Sequence, residues 1–156
     1  KASINAFLDD YALLAEAFIS VYEITFDENW LLESKQLCDF VVNHFHDEES
    51  GLFFYTSDED EALIARKYEV MDNVIPASNS VLAWNFKKLA IFYDCQNYQH
   101  IYQHMLKTVE PHIKSYASAY ANWASLLLNE IQGSFEIAIT GSDFEEKRKE
   151  LEKYYI

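Results

Sequence analysis

The residue types that could do chemistry gather in two stretches. Asp9-Asp10-Tyr11-Ala12 places two carboxylates beside a phenol. Paired carboxylates serve general acid/base catalysis, and with Tyr11 alongside they can bind sugar hydroxyls. The same two acids, in the first turn of a helix, would instead offset the positive end of its dipole. Arg66-Lys67, Asp72-Asn73 and Pro76-Ala77-Ser78-Asn79-Ser80 form the densest polar stretch outside a regular element. Loops on a rigid scaffold carry function more often than their share. Asp, Asn and Ser in such a loop can equally cap the helix that follows.

Other motifs point to less. His44-Phe45-His46 precedes Asp47-Glu48-Glu49, but residues two apart diverge on a helix. Histidines at a helix end complement its negative pole, so no metal site is assigned. Asp58-Glu59-Asp60-Glu61 lacks the ligand spacing and central Gly of a calcium loop and reads as a solvated turn. Gly141 sits beside Asp143 and Glu145, the wrong charge for a phosphate turn. His100, His104 and His112 lie along one amphipathic helix and its end, with no Ser or Cys partner for a nucleophile triad. Cys38 and Cys95 sit in apolar helical contexts and read as reduced core residues. No cofactor is expected.

The elements that must position these residues are helices. Phe7, Tyr11, Leu14, Phe18 and Val21 step by one helical face, giving a helix over 7–25 with a wide apolar surface. Asp27 caps a second helix over 28–46, marked by Trp30, Leu37, Val41 and Phe45. The short link makes the two an antiparallel hairpin. Leu52 to Thr56 is aromatic and β-prone, with Ala62 to Ile64 as its partner in a short β-hairpin. A loop over 65–76 leads to a third helix over 80–94, capped by Asn79 or Ser80. A fourth helix runs over 97–109, where Pro111 should end or kink it. A fifth spans 116–132. Phe135 to Thr140 is of strand type, and Ser142 with Glu145 makes a capping box for a last helix over 143–155. The fold class is therefore mainly α: antiparallel helical hairpins, one short β-hairpin and a C-terminal strand–helix.

Composition agrees. Among 156 residues, aromatic side chains make up 16%, while Gly and Pro number only 3 and 2. Large rings supply a core and few breakers interrupt long helices. The formal charge of -14 opposes binding to nucleic acid and to anionic membrane surfaces. No 18-residue apolar run or signal-peptide core is present, so cytoplasm is the default location. The chain opens on Lys1 rather than Met and ends on Tyr154-Tyr155-Ile156, as an excised segment or a processed chain would.

Three ordered stretches carry a family resemblance: Phe7 to Ala12, Gly51 to Asp58 with Glu61 to Ile64, and Asp72 to Val81. Together they resemble the spermatogenesis-associated protein 20-like family, in which a thioredoxin-like domain precedes a six-hairpin α/α toroid. That toroid is similar to those of N-acylglucosamine 2-epimerases and six-hairpin glycosidases. The family often has Ser-Gly before Asn-Ser, where this chain has Ala77-Ser78. The resemblance implies that residues 1–132 are late hairpins of an (α/α)6 toroid and 133–156 the start of a C-terminal region. Two alternative functions remain open. One, motivated by the Asp10-Tyr11 and Asp72-to-Ser80 stretches, is a carbohydrate-processing isomerase or hydrolase, with Asp10 and Asp72 catalytic and Tyr11, Arg66, Asn79 and Ser80 binding a sugar. The other is a non-catalytic helical scaffold for a redox domain or another protein. If neighbouring hairpins are missing, exposed apolar faces should drive self-association.

Overall fold

The computed structural model describes residues 5–60, 65–133, 137–151 and 153–154. Helices α1 (Leu8–Thr25) and α2 (Glu28–Phe45) form the first hairpin. Helices α3 (Ser78–Tyr93) and α4 (Gln96–Ser115) form the second. A 3-10 turn, Ala117–Ala119, leads into α5 (Ala121–Gln132), and α6 (Phe144–Leu151) closes the described chain.

The hairpins repeat in one sense. Contacts between α1 and α3 advance from Ala12–Asn85 to Tyr22–Phe92. Those between α3 and α5 advance from Ser80–Asn122 to Lys87–Glu130. Helices α1, α3 and α5 are therefore parallel, with α3 in the middle and buried on both flanks. The core runs along this row through Ile19, Leu82, Phe86, Leu89 and Trp123, and continues to Met105 on α4 and Val41 on α2. Several polar groups inside it are paired, while the buried Thr56 and Ser78 hydroxyls have no hydrogen-bond partner among the described residues. Ser34 donates to the Ala15 carbonyl at 3.0 Å and Asn85 to the Ala12 carbonyl at 2.8 Å. Lys87 reaches Glu130 at 2.8 Å, and the Tyr98 hydroxyl donates to Asp39 across the two hairpins.

The expected helices are present, with shifted ends. Asp27 caps α2 as its position predicts, accepting from the Asn29 N–H at 3.0 Å. Helix α3 begins two residues earlier than expected, after Ala77, and neither Asn79 nor Ser80 is its N-cap. Pro111 does not end α4, which continues to Ser115. The proline removes one backbone donor, but Val109 and Ile113 are both buried on either side of it, and that packing carries the helix through.

Among the described residues, the segment between the hairpins makes only isolated bridges. Residues 62–64, expected as a partner strand, lie outside the described residues. Phe53 makes an isolated antiparallel bridge to His46, and Phe54 another to Tyr68. Residues 137–140 carry no strand, and 135–136 of that expected strand lie outside the described residues. Gly51 permits the turn into the aromatic segment. Its φ of 74° lies in the left-handed region, and a Cβ there would meet the His104 ring at 2.5 Å.

A side chain supplies hydrogen bonds to the backbone of this segment. The Asn79 carboxamide accepts from the Phe53 N–H at 2.8 Å and donates to the Phe53 and Glu69 carbonyls, each at 2.9 Å. Asn79 is fully buried, so these backbone groups have no water to turn to. Asn79→Ala should lower folding stability by about 3 kcal/mol, since it orphans several buried groups at once. The same change at the exposed Asn43 should leave the denaturant midpoint nearly unmoved.

Candidate functional site

The candidate residues divide between two places. Asp10 and Tyr11 lie at the start of α1. Asp72, Asn79 and Ser80 lie where α3 and α5 begin, and Arg66 lies on the segment between the hairpins. Among the described residues, no hydrogen bond or ion pair joins the Asp10 group to the Asp72 group.

Asp10 is the third residue of α1, and its carboxylate accepts from the Phe7 N–H at 2.9 Å. That is the acidic half of a capping box. Phe7 has no side-chain acceptor to return, so the pair is one-sided. Tyr11 stacks on Phe40 at 5.2 Å and meets Phe45 edge-on at 5.4 Å. Burial raises its phenol above the ordinary value, and the carboxylates of Glu59, Asp10 and Asp60 add to the rise.

Asp72 is the most heavily engaged carboxylate of the set. One oxygen accepts from the Ala77 N–H at 2.9 Å and, at 3.3 Å, from the Ser80 hydroxyl. The other accepts from the Asn122 N–H at 2.9 Å. A single side chain therefore caps both α3 and α5. Ser80 also bonds the Ala77 carbonyl at 2.8 Å and accepts from the Asn122 amide at 2.9 Å. Glu69 fills the remaining position, accepting from the Ser78 N–H at 3.2 Å. The positive end of α3 is thus occupied by the chain's own acids and is not left for a ligand anion.

Arg66 behaves as a fastener of the aromatic segment. Its guanidinium donates to the Thr56 carbonyl and, at 3.2 Å, to the His44 carbonyl in the last turn of α2. It also lies 4.2 Å from the centre of the Phe54 ring. A cation on the final carbonyls of a helix is favourably placed against its dipole.

The histidines are dispersed among similar contacts. His44 meets Asp58 at 2.9 Å, and the His46 ring lies tilted against Phe53 at 4.9 Å, with burial lowering its basicity. Among the described residues, no three His, Cys, Asp or Glu side chains converge as metal ligands. Cys38 is buried and its thiol is pushed up to about 12, first by burial and then by Asp39. It is therefore no nucleophile at neutral pH. Two shallow, open hollows of about 470 and 560 Å³ lie beside the C-terminal stretch between Ala138 and Tyr154, and neither Asp10 nor Asp72 lines them. Among the described residues, no helix is long and apolar enough to cross a membrane.

Several residues that matter escape a reading of the sequence. Glu69 and Asn122 are single polar residues without a motif. Asp47 had a signal, the spacing Asp47-x-x-Ser50-Gly51 of an Asx turn. Comparison with known protein families and with curated proteins finds no match to this chain.

Asp47 supplies the clearest pH dependence. Its carboxylate accepts from the Ser50 and Tyr68 hydroxyls, each at 2.6 Å, and from the Ser50 and Glu49 N–H groups. The Ser50 hydroxyl first, then that of Tyr68, holds its carboxyl at about 2, below the ordinary 3.8. A carboxyl depressed on folding adds stability above its unfolded value, and the gain is lost as pH falls through the folded one. Wild type should therefore melt above Asp47→Asn at about pH 5, with the gap closing between about pH 4 and about pH 2. Thermal melts across that range read the outcome.

Proposed function

We propose that this chain is a non-catalytic helical packing module, a piece of an α/α toroid-type array that serves as a scaffold or interaction surface. One observation carries the reading. The carboxylates that would have to act on a substrate, Asp10 and Asp72, are spent on backbone N–H groups at helix starts. Each carboxylate is thereby fixed at a helix start by bonds within the fold, Asp72 through both of its oxygens. The supporting residues have the same character: Asn79 and Ser80 bond backbone and each other's neighbours, and Arg66 bonds carbonyls.

The row of parallel α1, α3 and α5, each followed by or joined through an antiparallel partner, also suits the toroid family that the three sequence stretches resemble. In that family setting the carbohydrate-processing reading would need a carboxylate pair facing one open hollow. The two hollows beside the C-terminal stretch are lined by neither Asp10 nor Asp72.

Asp72→Asn should lower stability by about 1–3 kcal/mol, because an amide cannot accept from two N–H groups with both of its polar atoms. Asp10→Asn should cost about 1 kcal/mol or less, as a lost one-sided cap does. No member of a mono- and oligosaccharide panel should raise the melting temperature of wild type. Saturable sugar binding that vanishes in Asp72→Asn, with the melting temperature unchanged, would overturn the proposal.

A further inference from the structure

A turn flanked by two histidines joins the first hairpin to the second. Residues 47–51 carry the chain from the end of α2 into the aromatic segment. The turn is closed on itself. Its Asp47 N–H donates to the Leu52 carbonyl at 2.9 Å, and its Gly51 N–H to the Asp47 carbonyl at 2.8 Å. The Asp47 carboxylate accepts from the Ser50 hydroxyl and N–H inside it. The outside of the turn rests on α4. Gly51 is buried, and a Cβ there would come within 2.5 Å of His104 Nδ1. The Thr108 hydroxyl donates to the Ser50 carbonyl at 3.0 Å. Residues four apart share a helix face, so His104 and Thr108 form one seat.

His46 immediately precedes the turn. It ends α2, bridges the Phe53 backbone and lies half-buried, its ring 4.9 Å from that of Phe53. Asp47 and Glu48 face it from the turn, and His104 faces it from α4. The aromatic segment offers it the uncharged Phe53 ring. His44, two residues earlier, is engaged with Asp58 at 2.9 Å, and Arg66 with the His44 carbonyl at 3.2 Å. Burial holds the His46 imidazole below its ordinary 6.5; Glu48 and Asp47 pull it up, and the like charge of His104 adds to the lowering.

We infer that the turn 47–51 is a pH-sensitive latch between the two hairpins: it sits on His104 and Thr108 while His46 is neutral, and lifts from α4 when His46 takes up a proton. A protonated imidazole is ill placed against Phe53, because a charge is costly to bury. It also meets a second histidine across the seam. The bonds inside the turn do not involve the His46 ring, and Asp47, held at about 2, stays ionised throughout, so the turn moves as a unit. Linkage sets the direction. A base lowered on folding leaves the folded state with fewer bound protons than the unfolded one. The seam is therefore firm above about pH 6.5 and weakens as pH falls below it towards the folded value. That window lies above the one for Asp47, so the two are read separately. Lifting the turn uncovers Leu52 and Phe53, both buried in the latched state. The latch goes beyond the packing-module reading and needs no partner chain.

A proton NMR titration of the 156-residue chain from about pH 8 to about pH 5 tests this. Cross-relaxation between the Gly51 α-protons and the His104 ring should be strong at the alkaline end and lost on acidification, with the same midpoint as the His46 ring. Amides in the middle of α3 should keep their shifts, which separates unlatching from unfolding. His46→Gln should keep the Gly51–His104 contact down to about pH 5. In His104→Gln the His46 midpoint should move up, since the opposing charge is gone. A wild type whose contact persists through the whole His46 titration overturns the inference, and that measurement needs no variant. So does a His46→Gln chain that loses the contact at the same pH as wild type, or a His46 midpoint that stays put in His104→Gln.

Discussion

The structure depends on how the first turn of α3 is satisfied. A helix begins with backbone N–H groups that have no partner inside it. Here that turn is buried between α1, α5 and the aromatic segment, so water cannot serve. Glu69 does it instead, its carboxylate accepting from the Ser78 N–H and its carbonyl from the Asn79 N–H at 3.4 Å, while Asp72 accepts from the N–H of Ala77 just before the helix. Asp72 alone ties two helices that are separated by the whole of α4, and its own N–H donates to the Ala119 carbonyl at 2.8 Å. Once this turn is fixed, the spacing of α3 from α5 and the position of the aromatic segment follow.

The irregular segment between the hairpins is a consequence of that arrangement. Its backbone groups are satisfied piecemeal: Phe54 by the Phe45 carbonyl, Tyr55 by the Lys67 carbonyl, Phe53 by an asparagine amide. Its rings are buried or stacked, as with Phe53 on Phe86 at 5.4 Å and Phe54 on Tyr68 at 4.7 Å. Aromatic packing and side-chain donors therefore replace a ladder. Among the described residues, a segment with high strand propensity makes only isolated bridges, because its backbone is shared among the end of α2, the Asn79 side chain and the 67–68 segment.

Helices α1 to α5 were legible in the sequence because each has a periodic apolar face, and Asp27 was legible because a cap that bonds its own helix is local. The start of α3 was not. Asn79 and Ser80 have the residue types of caps, yet their side chains serve Phe53, Glu69 and Asn122, which are distant in sequence or lie on another element. The actual caps reach back five and nine residues, beyond any local motif. Pro111 misled for the same reason: its local effect is set against the burial of Val109 and Ile113, which only the packed fold reveals. Asp10 and Asp72 were chosen for their chemistry, and sequence alone left open whether that chemistry faces a substrate or a helix end.

Amide hydrogen exchange on the native chain tests most directly whether this buried turn is the keystone. The N–H groups of Phe53, Ala77 and Asn122, which all end on side-chain oxygens, should exchange as slowly as amides in the middle of α3 such as Phe86 and Leu89, by global unfolding. If those three exchange by local fraying while the middle of α3 stays protected, the side-chain fasteners do not hold the fold, and the account given for Asp72 and Asn79 is wrong.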